Sequence, residues 1–149
     1  MNYQNGIVVA ADGAKLFEAI TTTIDSWWGR TDLTRSTKQG DTFSVFFEND
    51  TKWKFKVVES IKDKKVVWEC IEAYHKIEGM NDIEKEWLGS RLIWRLESMT
   101  NNETLLVFEH EGLTPTLNCY EVCNNGWNYF LKSLKKYAET GIGTPNIVK

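Results

Sequence analysis

His110, Asn124 and three cysteines are the residues of this 149-residue chain whose types and spacing best suit chemistry. His110 ends the run "TLLVFEH", where Leu106, Phe108 and His110 alternate with Val107 and Glu109. That alternation places the imidazole on one face with two apolar side chains. An imidazole so placed is neutral and hydrogen-bonded, because an unpartnered charge in apolar surroundings is costly. It serves as a polar anchor for a ligand carbonyl or hydroxyl, as a proton-transfer group, or simply as a satisfied core histidine. No acid–base partner for it can be named from the sequence, so no catalytic residue is assigned, with His110 as the alternative. Asn124 falls on the stripe Leu117, Tyr120, Asn124, Trp127, Leu131, Leu134 and Ala138, spaced for one helix face. A buried amide there needs several partners, supplied by a ligand or by a neighbouring backbone.

Cys119 and Cys123, four apart, share a helix face, while Cys70 and His110 point toward the same interior from strands. Three thiols and an imidazole are a donor set for tetrahedral zinc. No CxxC knuckle is present, and a buried free cysteine commonly acts as a small apolar residue. The sequence therefore assigns no metal and no cofactor. "TGIGTP" follows a helix, so it is a cap and exit turn rather than a dinucleotide loop. "HEG" lacks the second histidine of a metalloprotease helix, and neither GxSxG nor a P-loop occurs. Lys52, Lys54, Lys56, Lys62, Lys64 and Lys65 form a basic patch, which on alternate strand positions marks a solvated face.

Composition bounds what these residues belong to. Hydrophobic and charged fractions of 42% and 26% suit a single globular domain over residues 1–149 with a sizeable core. Seven tryptophans carry bulky rings with polar edges, which suits a large and irregularly lined interior. A net charge of −3 argues against nucleic acid and against anionic membrane as partners. "MNYQNGIVVAADG" lacks a signal peptide's basic start and long apolar run, and no segment approaches the roughly 18 apolar residues of a span. An odd cysteine count suits reduced thiols. The expectation is a cytoplasmic protein without membrane insertion.

The positioning elements follow from period. "QNGIVVAA" reads as a strand, and Asp12 caps a helix in "GAKLFEAIT". "TTIDSWWG" reads as a second short helix. The period then becomes two. Phe43, Val45 and Phe47 share a face, as do Trp53, Phe55 and Val57, then Val66, Trp68 and Cys70, then Leu92, Trp94 and Leu96. This predicts an antiparallel meander with one apolar face. Residues 73–89 form a long polar connection, suited to a lid, a rim or a surface loop. Thr114-Pro115 and an Asn118/Glu121 capping box predict the start of a final helix, and Gly141 its cap. At about two dozen residues it would run roughly 36 Å.

"VVAADGAKLFEAITT", "EWLGSRLIWRLE", "TLLVFEHEGL" and "GWNYFLKSLKKYAETGIGTP" resemble the matching segments of the START-like (SRPBCC) superfamily, within it the heat-shock protein 90 ATPase activator-like family. The resemblance implies an α+β helix-grip fold. A curved antiparallel sheet of about six or seven strands would wrap a long C-terminal helix, with two short helices after the first strand. It also implies a cavity between sheet and helix for a small hydrophobic, aromatic or lipid-like ligand. Phe55, Trp68, Trp94, Phe108, Trp127 and Leu131 would supply area there, and His110 and Asn124 orientation; a compact core made of the same residues is the alternative, since interiors usually pack densely. Two alternatives stay open: a polyketide cyclase-like enzyme using His110 in the same cavity, and a chaperone-associated interaction module with a protein partner or a second copy. In the eukaryotic activators such a domain is paired with a separate N-terminal domain, for which this sequence has no counterpart.

Overall fold

The computed structural model describes residues 1–32 and 37–146. Strand β1 (Tyr3–Val9) leads into helix α1 (Gly13–Thr21) and a 3-10 turn (Ile24–Ser26). Six strands follow: β2 (Arg30–Thr31), β3 (Thr42–Phe46), β4 (Lys52–Ile61), β5 (Lys65–Tyr74), β6 (Arg91–Ser98) and β7 (Thr104–Glu111). Helix α2 (Tyr120–Thr140) closes the order. The seven strands form one sheet in the order β1-β7-β6-β5-β4-β3-β2, with every pairing antiparallel. This is the expected α+β helix-grip arrangement.

Side-chain alternation does what the period requires. Trp53, Phe55 and Val57 are buried while Lys54 and Lys56 lie outward, and Lys54 and Arg91 pair across strands with Glu72 and Glu69. Register shifts in the β4–β5 ladder, at Lys54/Phe55 and Val57/Glu59, add local twist and help the sheet curl. Against the apolar face α2 lays Cys123, Trp127, Leu131, Ser133, Leu134 and Ala138. The buried stripe thus runs through Cys123, and Asn124 is only half-buried.

The two ends of the short N-terminal helices differ. The Asp12 carboxylate accepts the Lys15 amide at 2.9 Å, as the sequence suggests. The expected second helix is only the three-residue 3-10 turn, because Trp27 and Trp28 immediately after it are drawn fully into the core.

Helix α2 also starts later than the local signals predict. Residues 114–119 form turns, and the N-cap residue Cys119 offers no side-chain cap. The cap comes instead from the connection after β5. The Glu86 carboxylate accepts the amides of Asn118 (2.8 Å) and Cys119 (2.9 Å), two donors that the helix itself leaves unpaired. The resulting 21 residues span roughly 31 Å. At the other end Gly141 takes the left-handed conformation (φ 86°) that its missing Cβ permits, and its amide reaches Tyr137 O. The tail then folds back: Ser133 Oγ donates to Trp27 O and accepts the Thr144 amide, and the Asn146 amide donates to Trp28 O at 2.8 Å.

This capping makes a direct prediction. Glu86→Ala should lower unfolding stability by about 1–2 kcal/mol, whereas Glu121→Ala should cost at most about 0.5 kcal/mol. Urea unfolding of both variants checks it; the opposite ranking would return the cap to the local Asn118/Glu121 box.

Candidate functional site

The space between sheet and α2 is divided at Trp28. On one side the rings pack solidly. Phe55 lies 5.6 Å from Trp68, Trp68 5.4 Å from Trp94, and Trp94 4.2 Å from Phe108, centroid to centroid. Phe55, Trp68, Trp94, Phe108 and Leu131 are all fully buried there. On the other side lies a pocket of about 300 Å³. It sits where the β3–β4 turn, the connection after β5 and the first half of α2 converge. Its apolar wall is Trp28, Phe47, Trp53, Trp87, Trp127 and Phe130. Of the eight ligand-contacting residues expected from the sequence, only Trp127 lines it. Alternation identifies the inner face of a sheet, but which part of that face is filled depends on the side chains facing it.

The connection after β5 contributes more than its polarity suggests. His75, Ile83 and Trp87 on it are buried, and Trp87 stacks on Trp53 at 4.2 Å and 12°. It is tied down by Thr51, whose hydroxyl donates to Lys76 O and accepts the Lys76 amide, and by His75 N to Glu84 O at 3.1 Å. Sequence reasoning missed His75 and Trp87. The available signal was Ile83 and Trp87, one helical step apart among charged neighbours in "DIEKEWLG".

Polar atoms at the pocket wall lack partners. Among the described residues, Trp53 Nε1, Trp87 Nε1, His75 Nδ1 and Asn146 Oδ1 are buried without a hydrogen bond, and all four side chains line the pocket. Each such group costs about 1–3 kcal/mol relative to a paired one. Trp68 and Trp94 Nε1 share that condition in the packed half. His75 is held neutral: burial lowers its pKa to about 4, against an opposing pull from Glu86.

His110 lies apart from the pocket and is completely enclosed. The indole of Trp127 can only donate, so its 3.0 Å bond makes His110 Nδ1 an acceptor. Nε2 therefore carries the proton and donates to Ser90 Oγ at 2.9 Å, and that hydroxyl donates to Trp87 O at 2.6 Å. Both ring nitrogens are committed, so the imidazole offers the pocket neither a base nor an acid. Its work is to join β7 to α2 and to the connection after β5. The four donors Cys70, Cys119, Cys123 and His110 do not gather either. Cys70 Sγ donates to Glu72 O, and burial raises its pKa to about 12. Cys119 and Cys123 converge instead with His75, their ligand atoms within 4.8 Å of one another.

Burial alone lowers the His110 pKa from 6.5 to about 3. Between those values the unfolded chain binds a proton that the native state refuses. Stability must therefore fall as pH drops through this window, by about 1.4 kcal/mol per pH unit from this residue. His110→Gln should remove that share of the slope when urea unfolding is compared between pH 6.5 and 5; identical slopes would contradict it.

No helix of the described residues is long and apolar enough to cross a membrane. Residues 10–139 match the family profile described as Activator of Hsp90 ATPase homolog 1-like protein. No curated protein sequence matches the chain. Among solved structures, the Aha1 dimer from Colwellia psychrerythraea is 28% identical with a TM-score of 0.75, over 96% of this chain and 99% of that one. An HSP90 activator from Plasmodium falciparum is 22% identical with a TM-score of 0.64, over 90% and 93%. DynU16, from the dynemicin biosynthetic locus, is 18% identical with a TM-score of 0.70, over 95% of this chain and 48% of that one. These last two likenesses attest the fold alone. The profile match along most of the chain, on a seven-stranded sheet that grips its C-terminal helix, makes this protein a member of the Activator of Hsp90 ATPase homolog 1-like family within the START-like superfamily.

Proposed function

We propose that the protein binds a small, flat, largely apolar molecule bearing hydrogen-bond acceptors, in the pocket beside Trp28. The observation that carries this reading is an aromatic wall holding unpaired donors: the Trp53 and Trp87 indoles have buried N–H groups with no acceptor. An occupant supplies ring-to-ring contact over Trp127 and Phe130, and its acceptor atoms relieve the unpaired N–H groups after a small shift. A volume of about 300 Å³ stands at the lower end for small-molecule sites. Since His110 is closed off, the site is suited to burying a ligand rather than to proton transfer through that residue.

Gly126 supports the same reading. It stands inside α2 and lines the pocket, where an added β-carbon meets nothing within 4 Å. Glycine in a helix interior costs about 0.5–1 kcal/mol relative to alanine, so the helix gives up stability while the wall stays open.

A second reading takes its support from the dimeric Colwellia relative. Val122 and Tyr129 are exposed on α2, and Val122 lines the pocket mouth. A second copy or another protein, including the chaperone that the family description names, would seat there.

Native against denaturing mass spectrometry of freshly purified protein tests the first reading and reports any dimer in the same spectra. The wild type should carry an extra mass that is lost on denaturation and absent in Gly126→Phe, while Gly126→Ala should gain about 0.5–1 kcal/mol in stability. A bare wild type, or a mass retained by Gly126→Phe, contradicts a ligand in this pocket.

A further inference from the structure

We infer that His75, Cys119 and Cys123 form a binding site for zinc(II), three-coordinate from the protein, with its fourth position open to the pocket. One ring nitrogen of His75 and the two Sγ atoms lie within 4.8 Å of one another, and all three residues are buried. A tetrahedral ion with bonds of about 2.3 Å to sulfur and 2.0–2.1 Å to nitrogen spaces its ligands roughly 3.4–3.8 Å apart. The set therefore closes on an ion by moving about an ångström, within the reach of side-chain torsions. A second observation points to a missing ligand: His75 is 7% exposed, and its Nδ1 is buried with no hydrogen-bond partner.

The chemistry of the donors selects the ion. Two thiolates and an imidazole are soft to borderline ligands, suited to zinc rather than to magnesium or calcium. Two thiols release their protons as the ion binds, so Zn²⁺ with two thiolates is net neutral, the charge a buried site tolerates best. Cys119 caps α2 and Cys123 lies in its first turn; the neighbouring Cys123 thiol, burial and the Glu86 carboxylate all raise the Cys119 pKa, so its proton leaves only as the ion binds. The Glu86 carboxylate holds the Cys119 amide at 2.9 Å and so fixes the start of the helix that carries both sulfurs.

The fourth position follows from the pocket. His75 and Cys123 both line it. An ion held between them and Cys119 would present its remaining site to water or to an acceptor atom of whatever the pocket holds. That is the open geometry of a zinc centre that binds or polarises a ligand, in contrast to a closed structural site. The metal site stands independently of the ligand reading: it needs only these three side chains.

Cobalt(II) titration of the reduced, chelator-treated full chain tests it, followed by displacement with zinc(II). The expected result is one equivalent of cobalt bound with thiolate charge-transfer absorption, the intense visible bands of tetrahedral geometry, and quenching of tryptophan fluorescence from Trp53, whose ring centroid lies 4.9 Å from that of His75. Zinc should displace it stoichiometrically. Cys119→Ser, Cys123→Ser and His75→Gln should each weaken binding by more than about 100-fold, and Cys70→Ser should leave it unchanged. Circular dichroism separates lost ligation from lost fold. A weak octahedral spectrum without the thiolate band in the wild type, or wild-type affinity in folded Cys123→Ser, overturns the inference.

Discussion

The segment after α1, strands β4 and β5, the connection after β5 and helix α2 meet at one indole, that of Trp28. The Trp28 ring lies 6.1 Å from Trp68 and 5.8 Å from Phe55 in the packed half, and 6.0 Å from Trp53, 6.5 Å from Trp87 and 5.1 Å from Trp127 around the pocket. Its backbone amide bonds Ile24 O, and its carbonyl accepts the Asn146 amide from the returning tail. The sheet, the connection after β5 and helix α2 pack against a side chain only 1% exposed, while the segment after α1 and the tail are bonded to the Trp28 backbone. A rigid ring in that position cannot be compressed, so rings on either side must be arranged around it. Close packing is achieved toward β6 and β7. Toward the β3–β4 turn it is not, and the space left over is the pocket.

A second constraint fixes the geometry of that space. The relay from Trp127 through His110 and Ser90 to the Trp87 carbonyl ties helix, sheet and connection together with three buried hydrogen bonds. Buried bonds of this kind hold direction as well as distance, because any displacement leaves a polar group unpaired in a low-dielectric interior. Trp87 and Trp127 thus meet the pocket with their orientation set from behind. The groups of this relay are satisfied, whereas Trp53 Nε1 and His75 Nδ1 at the wall, like Trp68 and Trp94 Nε1 in the packed half, are not.

Much of the architecture was legible because it rests on period and on local chemistry. Alternation at Trp53, Phe55 and Val57, the Asp12 cap and the Gly141 cap are all decided by near neighbours in the chain. Recognition of the family rested on four short blocks of the same kind. What escaped is long-range. Glu86 caps a helix more than thirty residues away, which no capping pattern can display. The neighbours of His75 read as polar loop, yet tertiary packing buries it against Trp53 and Trp87. The four-residue spacing of Cys119 and Cys123 marks them as a pair, but alternation offers them Cys70 and His110 from the strands, whereas the fold brings them His75. The pocket itself is a volume left by side chains from distant segments, so alternation alone pointed to the packed half instead.

On the proposed reading, an occupant of this pocket is met by the unpaired indole donors of Trp53 and Trp87. The most direct measurement is a nitrogen-15 NMR spectrum of the indole N–H groups, with assignments from single Trp→Phe variants, recorded with and without saturating anilinonaphthalene sulfonate, a flat apolar probe with acceptor oxygens. The Trp53 and Trp87 signals should move downfield and exchange more slowly with solvent. The Trp27 indole, already bonded to Ala19 O at 2.8 Å, should stay in place, as should Trp68 and Trp94 in the packed half. Bound probe that shifts Trp68 and Trp94 most, or leaves Trp53 and Trp87 unmoved, would contradict it.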